Sequence, residues 1–153
     1  MAQGPDFAIA SYIADPVKGP GIGTFFQDEL DAGRDPWALS GILVTAGEVP
    51  ERPDDSVTVL ANIGGRTDSF GVQEDFVFEV RCRSSSWGTV YTRALQISTA
   101  LHLAQGSIGG ILMRIRSNGP PFPLGRDDGP DGGRWNTIQV FTAVMKQGEN
   151  TTP

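Results

Sequence analysis

The stretch from Phe76 to Arg83 constrains the fold more than any other, because its side chains alternate strictly in character. The two alternating sets are Phe76, Phe78, Val80 and Cys82 on one side and Val77, Glu79, Arg81 and Arg83 on the other. A two-residue period of this kind predicts a strand with one buried and one polar face. Residues 57–63 alternate in the same way, so we expect the two segments to pair as an antiparallel hairpin.

A different period begins after the Ser84-Ser85-Ser86 run, which can cap a helix. Apolar residues then recur every three or four positions, namely Trp87, Val90, Tyr91, Ala94, Ile97 and Leu101. This spacing predicts a long amphipathic helix over about 86–104. A shorter helix is predicted over 6–14, where Asp6 can cap the first turn and Asp15-Pro16 ends the pattern.

Two further alternating segments, 111–116 and 138–145, predict additional strands. The second of these is apolar on both faces, which indicates one face in the core and the other under a neighbouring element or in an interface. The sequence therefore predicts an α+β fold. In this fold a mostly antiparallel sheet of about four main strands carries the long helix on one face, beside the short N-terminal helix.

Composition excludes several classes of protein. The 153 residues fit one domain, and 12 basic against 18 acidic side chains give a net charge of −6, which argues against binding to nucleic acid phosphates. One cysteine and one histidine cannot form a disulfide or the usual zinc site. No leader-like segment or long apolar run is present, so we expect synthesis in a cytoplasm and no membrane partner.

The residues that could carry catalysis lack the partners that catalysis needs. His102 lies near the edge of the predicted helical stripe, and Cys82 alternates inward with core residues. A phosphate-binding glycine loop at 19–23 is excluded, because Phe26 stands where the third glycine is required and no strand precedes it. We therefore predict no enzymatic activity and no cofactor.

The segment 125–134 is rich in glycine and aspartate, which suggests a calcium loop. Counted from Asp127, however, the third and twelfth positions hold Gly129 and Ile138, so two essential ligands are missing. No metal site is predicted. A solvated turn and a contact between subunits through Arg126 and Arg134 both remain open.

These features together resemble the tail terminator proteins of long-tailed bacteriophages, also known as tail completion or minor capsid proteins. The resemblance covers residues 6–146. It depends on the strand ending at Arg83, the amphipathic helix, the Ile-rich strand, the segment Pro123 to Gly129 with Arg134 and Asn136, and the final apolar strand. In the first half it depends on the N-terminal helix, Thr24 to Phe26 and the strand entered at Pro53 to Val57. The chain is expected to form a single domain over 1–153, which ends in a flexible tail at 147–153. Residues 31–49, which include Trp37, look like an insertion in this domain.

The resemblance implies a structural virion protein in the neck of the tail. Such a protein forms a six-membered ring on the head-proximal end of the tail tube, stops tube polymerisation and joins the head connector or head completion protein. DNA passes through its lumen without specific binding. The alternatives are another neck or tail component, such as a head–tail joining protein or a tube-like subunit, a small hydrolase or transferase, and a generic binding module.

A ring requires a head-to-tail interface, and the outward-facing charges and the last strand are the candidates for it. We expect Arg81→Glu or Arg83→Glu to weaken ring assembly while the monomer stays folded. The residues predicted to contact a neighbouring subunit or partner are Glu79, Arg81, Arg83, Arg126, Asp127, Asp128, Arg134 and Phe141.

Overall fold

The computed structural model describes residues 4–38, 41–61, 66–67, 73–129 and 132–146. The predicted tail at 147–153 lies outside them. The described helices are α1 Pro5–Ala14, α2 Phe26–Asp31 and α3 Trp87–Leu101, with a 3-10 turn at Pro36–Ala38. The described strands are β1 Thr24–Phe25, β2 Leu43–Ala46, β3 Ser56–Ala61, β4 Arg66–Thr67, β5 Gln73–Ser84, β6 Gln105–Ile108, β7 Ile111–Ser117, β8 Phe122–Gly129 and β9 Gly132–Lys146.

All the described strands belong to one mixed sheet in the order β1-β2-β3-β5-β9-β7-β6. Strand β4 pairs with the beginning of β5, and β8 pairs with the first half of β9 beside β7. Strands β1, β2 and β3 are mutually parallel, and the remaining pairs are antiparallel. The two long strands β5 and β9 pair along their whole shared length and form the centre of the sheet.

The predicted fold class is wrong in three respects. The sheet has nine strands instead of about four, and it is mixed because β1, β2 and β3 run in parallel. The helix predicted over 86–104 is shorter, because the backbone turns extended at His102 and Leu103 adopts a positive φ of 67°. The extra strands are short or poor in β-forming residues, so their pairing depends on neighbours and not on a local period.

The core lies on the concave side of the curled sheet, where both longer helices pack. Helix α3 covers β5, β9 and β7, while α1 covers β1, β2 and β3 and also reaches β6. Phe78 and Phe141, cross-strand partners at the centre, stack with ring centroids 5.3 Å apart. Ile13 of α1 and Ile97 of α3 are fully buried against the same cluster. One continuous core therefore holds the two helices and the sheet together.

The connection between the parallel strands β2 and β3, residues 47–55, lies on the outer face of the sheet. Oγ1 of Thr45 donates a 3.0 Å hydrogen bond to the Glu48 carbonyl and lies 2.9 Å from Oγ1 of Thr58. Both threonines are buried, as is Ser56. This part of the outer face is therefore closed to partners, whereas the outer faces of β7 and β8 stay exposed.

Candidate assembly surfaces

The segment read from sequence as a loop at 125–134 forms, in its described residues 125–129 and 132–134, the antiparallel hairpin of β8 and β9. Its end projects past β5, whose last partner on β9 is Trp135. A Cβ atom at Gly129 would overlap the Arg134 guanidinium, and one at Gly133 would overlap that of Arg126. The glycines therefore leave room for two arginine side chains that lie across the hairpin.

Arg134 is the centre of the polar contacts in this hairpin and is 5% exposed. Its Nε donates a 2.8 Å hydrogen bond to Oδ1 of Asp127, and its Nη1 donates a 2.8 Å bond to the Glu51 carbonyl. Nη1 also lies 3.8 Å from a carboxylate oxygen of Asp54. The side chain therefore fastens the hairpin to the 47–55 connection.

Asp127 has a pKa below its ordinary value of 3.8. Partial burial alone would raise this pKa. Hydrogen bonds from Arg134 and from Nδ2 of Asn136, the latter at 3.1 Å, together with the positive charge of Arg134, outweigh that effect. The carboxylate is thus held ionised, and Asp128 beside it is exposed on the same strand.

The charges predicted on one face of β5 divide into two environments. Arg83 is 3% exposed and donates hydrogen bonds to the carbonyls of Pro53 at 2.7 Å and Asp54 at 3.2 Å. Burial lowers its pKa below the ordinary value, and the nearby Arg134 lowers it further. Arg81 instead keeps 40% of its side chain exposed and pairs with Glu79 at 2.9 Å. Glu79 and Arg81 are therefore surface groups, whereas Arg83 anchors the 47–55 connection.

The remaining predicted interface residues also differ in their exposure to solvent. Phe141 is fully buried in the core against Phe78, so the surfaces described below do not include it. Arg126 lies over the ring of Trp135, with its guanidinium carbon 5.8 Å from the ring centroid. It belongs to the exposed part of the hairpin.

An aromatic cluster that the sequence reading did not identify adjoins Arg126. Trp87 packs edge-on against Trp135 at 5.9 Å and stacks on Tyr91 at 5.5 Å. Trp87 and Tyr91 are more than one third exposed, although the helical period places them on the buried stripe. Their four-residue spacing indicates that they lie on one face of α3. The contact with Trp135 of the hairpin shows what that face packs against.

A second feature, an aromatic pocket of about 290 Å³, lies at the β1 edge of the sheet. Trp37 contacts Phe26 edge-on at 4.9 Å and remains 46% exposed. We call this the aromatic pocket; its lining residues are Phe7, Phe25, Phe26, Gln27, Trp37, Thr45, Ala46 and Glu48. Segment 31–49, predicted to be an insertion, supplies four of these residues.

The chemistry available in the described ranges is limited. Within them, no group of three or more His, Cys, Asp or Glu side chains could hold a metal ion, and no helix is long and apolar enough to span a membrane. Nδ1 of His102 accepts a 3.0 Å hydrogen bond from the Ser117 amide. Cys82 is buried, and burial raises the pKa of its thiol to about 12.

Comparison with known proteins identifies a family. The family model described as bacteriophage tail terminator protein matches residues 18–137. A solved structure titled "Virion of native gene transfer agent (GTA) particle" aligns with 67% of this chain and 78% of its own, at 18% identity and a TM-score of 0.43. No curated protein matches the sequence. Because the family model spans most of the sequence, the chain belongs to the bacteriophage tail terminator family.

Proposed function

We propose that this protein forms a six-membered ring at the head-proximal end of a phage tail tube. There it stops polymerisation of the tube protein and joins the tail to the head connector. Membership of the tail terminator family over residues 18–137 is the observation that carries this proposal. As a member of that family the chain is a structural protein of the phage tail.

The shape of the monomer suits a closed ring. A ring of identical subunits needs a head-to-tail interface, in which two different surfaces of each copy meet. The aromatic pocket lies at the β1 edge of the sheet. Strand β8 pairs with β9, on the side of β9 that faces away from β5. The molecule therefore presents two distinct surfaces, with β3, β5 and β9 between them in the sheet.

The charge distribution supports passage of DNA without binding. Residues 26–55 contain eight acidic and two basic side chains, which gives this segment a net charge of −6. The rest of the chain has equal numbers of acidic and basic side chains and so carries no net charge. Tight binding to DNA depends on arginine and lysine side chains that neutralise phosphates. An acidic subunit lets a ring surround DNA without holding it.

We assign the exposed Arg126 and Asp128, the partly exposed Arg81 and its ion-pair partner Glu79 to contacts with neighbours. Arg83, Asp127 and Arg134 act indirectly, because they fix the hairpin and the 47–55 connection in place. This division explains why a charge row that looks uniform in sequence should respond unevenly to mutation.

Electron microscopy of tube assembly tests the proposed function. Purified tail tube protein is polymerised alone and with this protein added at increasing molar ratio. We expect added terminator to shorten the tubes progressively and to appear as a ring at one end. Unchanged tube lengths with no ring at either end would overturn the proposal, and tubes formed by this protein alone would instead identify a tube-like subunit.

A further inference from the structure

We propose that the ring closes when the exposed Phe122 on one copy's β8 inserts into the aromatic pocket of the next copy. The arginines on β7 would then face the acidic segment around that pocket. This inference rests on the proposed function, since it names the contact through which the ring would form.

The aromatic pocket has the character of a receptor for one apolar side chain. Its volume of about 290 Å³ is at the lower end of the range for ligand pockets. Tryptophan is enriched among the residues that dominate the energetics of interfaces. Trp37, 46% exposed at the mouth of the pocket, is such a residue.

The surroundings of the pocket are acidic. Asp28 and Asp31 lie on α2 and Asp35 precedes the 3-10 turn; all three are exposed, as is Glu48 in the pocket lining. Among the acidic residues of α2, only Glu29 is buried, and it forms an ion pair with Arg34. The partner that fits this pocket is therefore apolar at its centre and basic at its rim.

The outer faces of β7 and β8 have that composition. Phe122 is 50% exposed and Leu112 is 39% exposed. Arg114 and Arg116 alternate with buried residues on β7, and neither forms an ion pair with a described residue. Residues 105–124 contain these two arginines and no acidic side chain. We call the set Leu112, Arg114, Arg116 and Phe122 the basic strip.

The basic strip and the aromatic pocket lie on different strands of one chain. Strands β8 and β2 are separated by β9, β5 and β3, which amounts to about 19 Å along the sheet. Two different, complementary surfaces of one subunit can be joined between copies, and repetition of that contact gives a ring when the rotation from copy to copy closes. The charge complementarity of the two surfaces also fixes the direction of the contact.

Cross-linking tests this contact directly. Gln27 lines the pocket, and Leu124 is 47% exposed two residues from Phe122, so Gln27→Cys combined with Leu124→Cys leaves Phe122 and Trp37 intact. The double variant is treated with a short bismaleimide, in the presence of tube protein if the ring forms only there. We expect a ladder of covalent products up to the complete ring. Each control carries only one of the two new cysteines, and the native Cys82 is buried. A control can therefore link a copy only to the same residue of another, so neither should proceed beyond a dimer.

Charge reversal provides a second test with a matched control. Arg114→Glu should shift the native mass from the ring towards the monomer at low salt, because it places a carboxylate against an acidic surface. Lys18→Glu changes the net charge by the same amount at an exposed position outside both surfaces, and we expect it to assemble like the parent.

The outcomes separate this inference from the proposed function. A ring that forms but gives no ladder with the double variant overturns the contact and leaves the ring standing. Equal effects of Arg114→Glu and Lys18→Glu would also overturn it. A protein that forms no ring, alone or on tubes, overturns both.

Discussion

Arg134 and Asp127 face each other across the β8–β9 hairpin, joined by a 2.8 Å hydrogen bond from Nε to Oδ1. The same guanidinium binds the carbonyl of Glu51, so one side chain ties the hairpin to the connection that covers the outer face. This polar contact therefore helps to fix the position of the hairpin, together with the packing of Trp135 against the core.

The first prediction concerns the pH dependence of this contact. Because the pKa of Asp127 is lowered in the folded state, its contribution to stability is present above its ordinary pKa of 3.8 and is lost as pH falls below that value. Asp127→Asn should therefore lower the free energy of unfolding slightly at pH 7, by about 1 kcal/mol or less because the carboxylate is half exposed. Urea unfolding at pH 7 and pH 3 measures this. The assignment would be contradicted if the parent and Asp127→Asn differed in free energy of unfolding by the same amount at both pH values. Asp128→Asn is the matched control.

The second prediction separates Arg83 from Arg81. Arg83→Met leaves the carbonyls of Pro53 and Asp54 without their donor, so we expect a loss of about 2–3 kcal/mol in the free energy of unfolding. Arg81→Met removes only a partly exposed pair with Glu79 and should cost less than about 1 kcal/mol. Denaturant titration compares the two, and equal losses would show that burial does not distinguish them.

This second prediction corrects an expectation from sequence. Alternation along β5 correctly places Arg81 and Arg83 on the same face of the strand. From the alternation alone, both are expected to be surface charges. Only the 47–55 connection buries Arg83, and no periodic pattern within residues 47–55 indicates its path over the outer face. Arg83→Glu is accordingly expected to destabilise the monomer, whereas Arg81→Glu remains the informative variant for assembly.

The third prediction concerns the packing of α1 against the β6–β7 turn. A Cβ atom at Gly109 would lie 2.5 Å from the Ala8 carbonyl oxygen, whereas one at Gly110 would meet nothing within 4 Å. Both glycines have positive φ, so alanine at either position costs about 1–2 kcal/mol in backbone strain. Gly109→Ala should cost at least about 1 kcal/mol more than Gly110→Ala, because α1 must shift. Thermal and urea unfolding measure the difference, and identical stabilities would refute the contact.

The fourth prediction uses the single cysteine as a reporter of unfolding. Cys82 is 1% exposed and burial raises its pKa to about 12, so the reactive thiolate is both rare and inaccessible in the folded protein. At pH 8 we expect a thiol reagent such as DTNB to label the native protein only slowly, and to label one equivalent promptly in guanidinium chloride. Prompt labelling without denaturant would show that the β5–α3 packing described above is wrong.

The sequence predicted the centre of the molecule better than its edges. Residues 76–83 and 138–145 lie within β5 and β9, and residues 111–116 lie within β7, because these segments bury one face and so carry a two-residue period. Strand β8 was missed because its glycines, prolines and aspartates disfavour strands. Its pairing is supplied by cross-strand contacts such as Asp127 with Arg134.

The candidate surfaces were predicted less well for a related reason. The aromatic pocket joins residues from α1, β1, α2 and β2, which are distant in sequence and carry no shared pattern. The parallel pairing of β1 with β2 brings Phe25 and Trp37 to one edge, and nothing local to either residue indicates it. The sequence does show the concentration of negative charge in residues 26–55. Only the structure shows that these charges surround the aromatic pocket.

The native mass of the purified protein is the most direct test of the account. Light scattering after size exclusion, with the protein alone and with tail tube protein present, gives that mass without a label or mutation. The account predicts a closed assembly of six copies of the 16.3 kDa chain, either free or bound to tube ends. A monomer under both conditions, or an open series of ever larger assemblies, would contradict it.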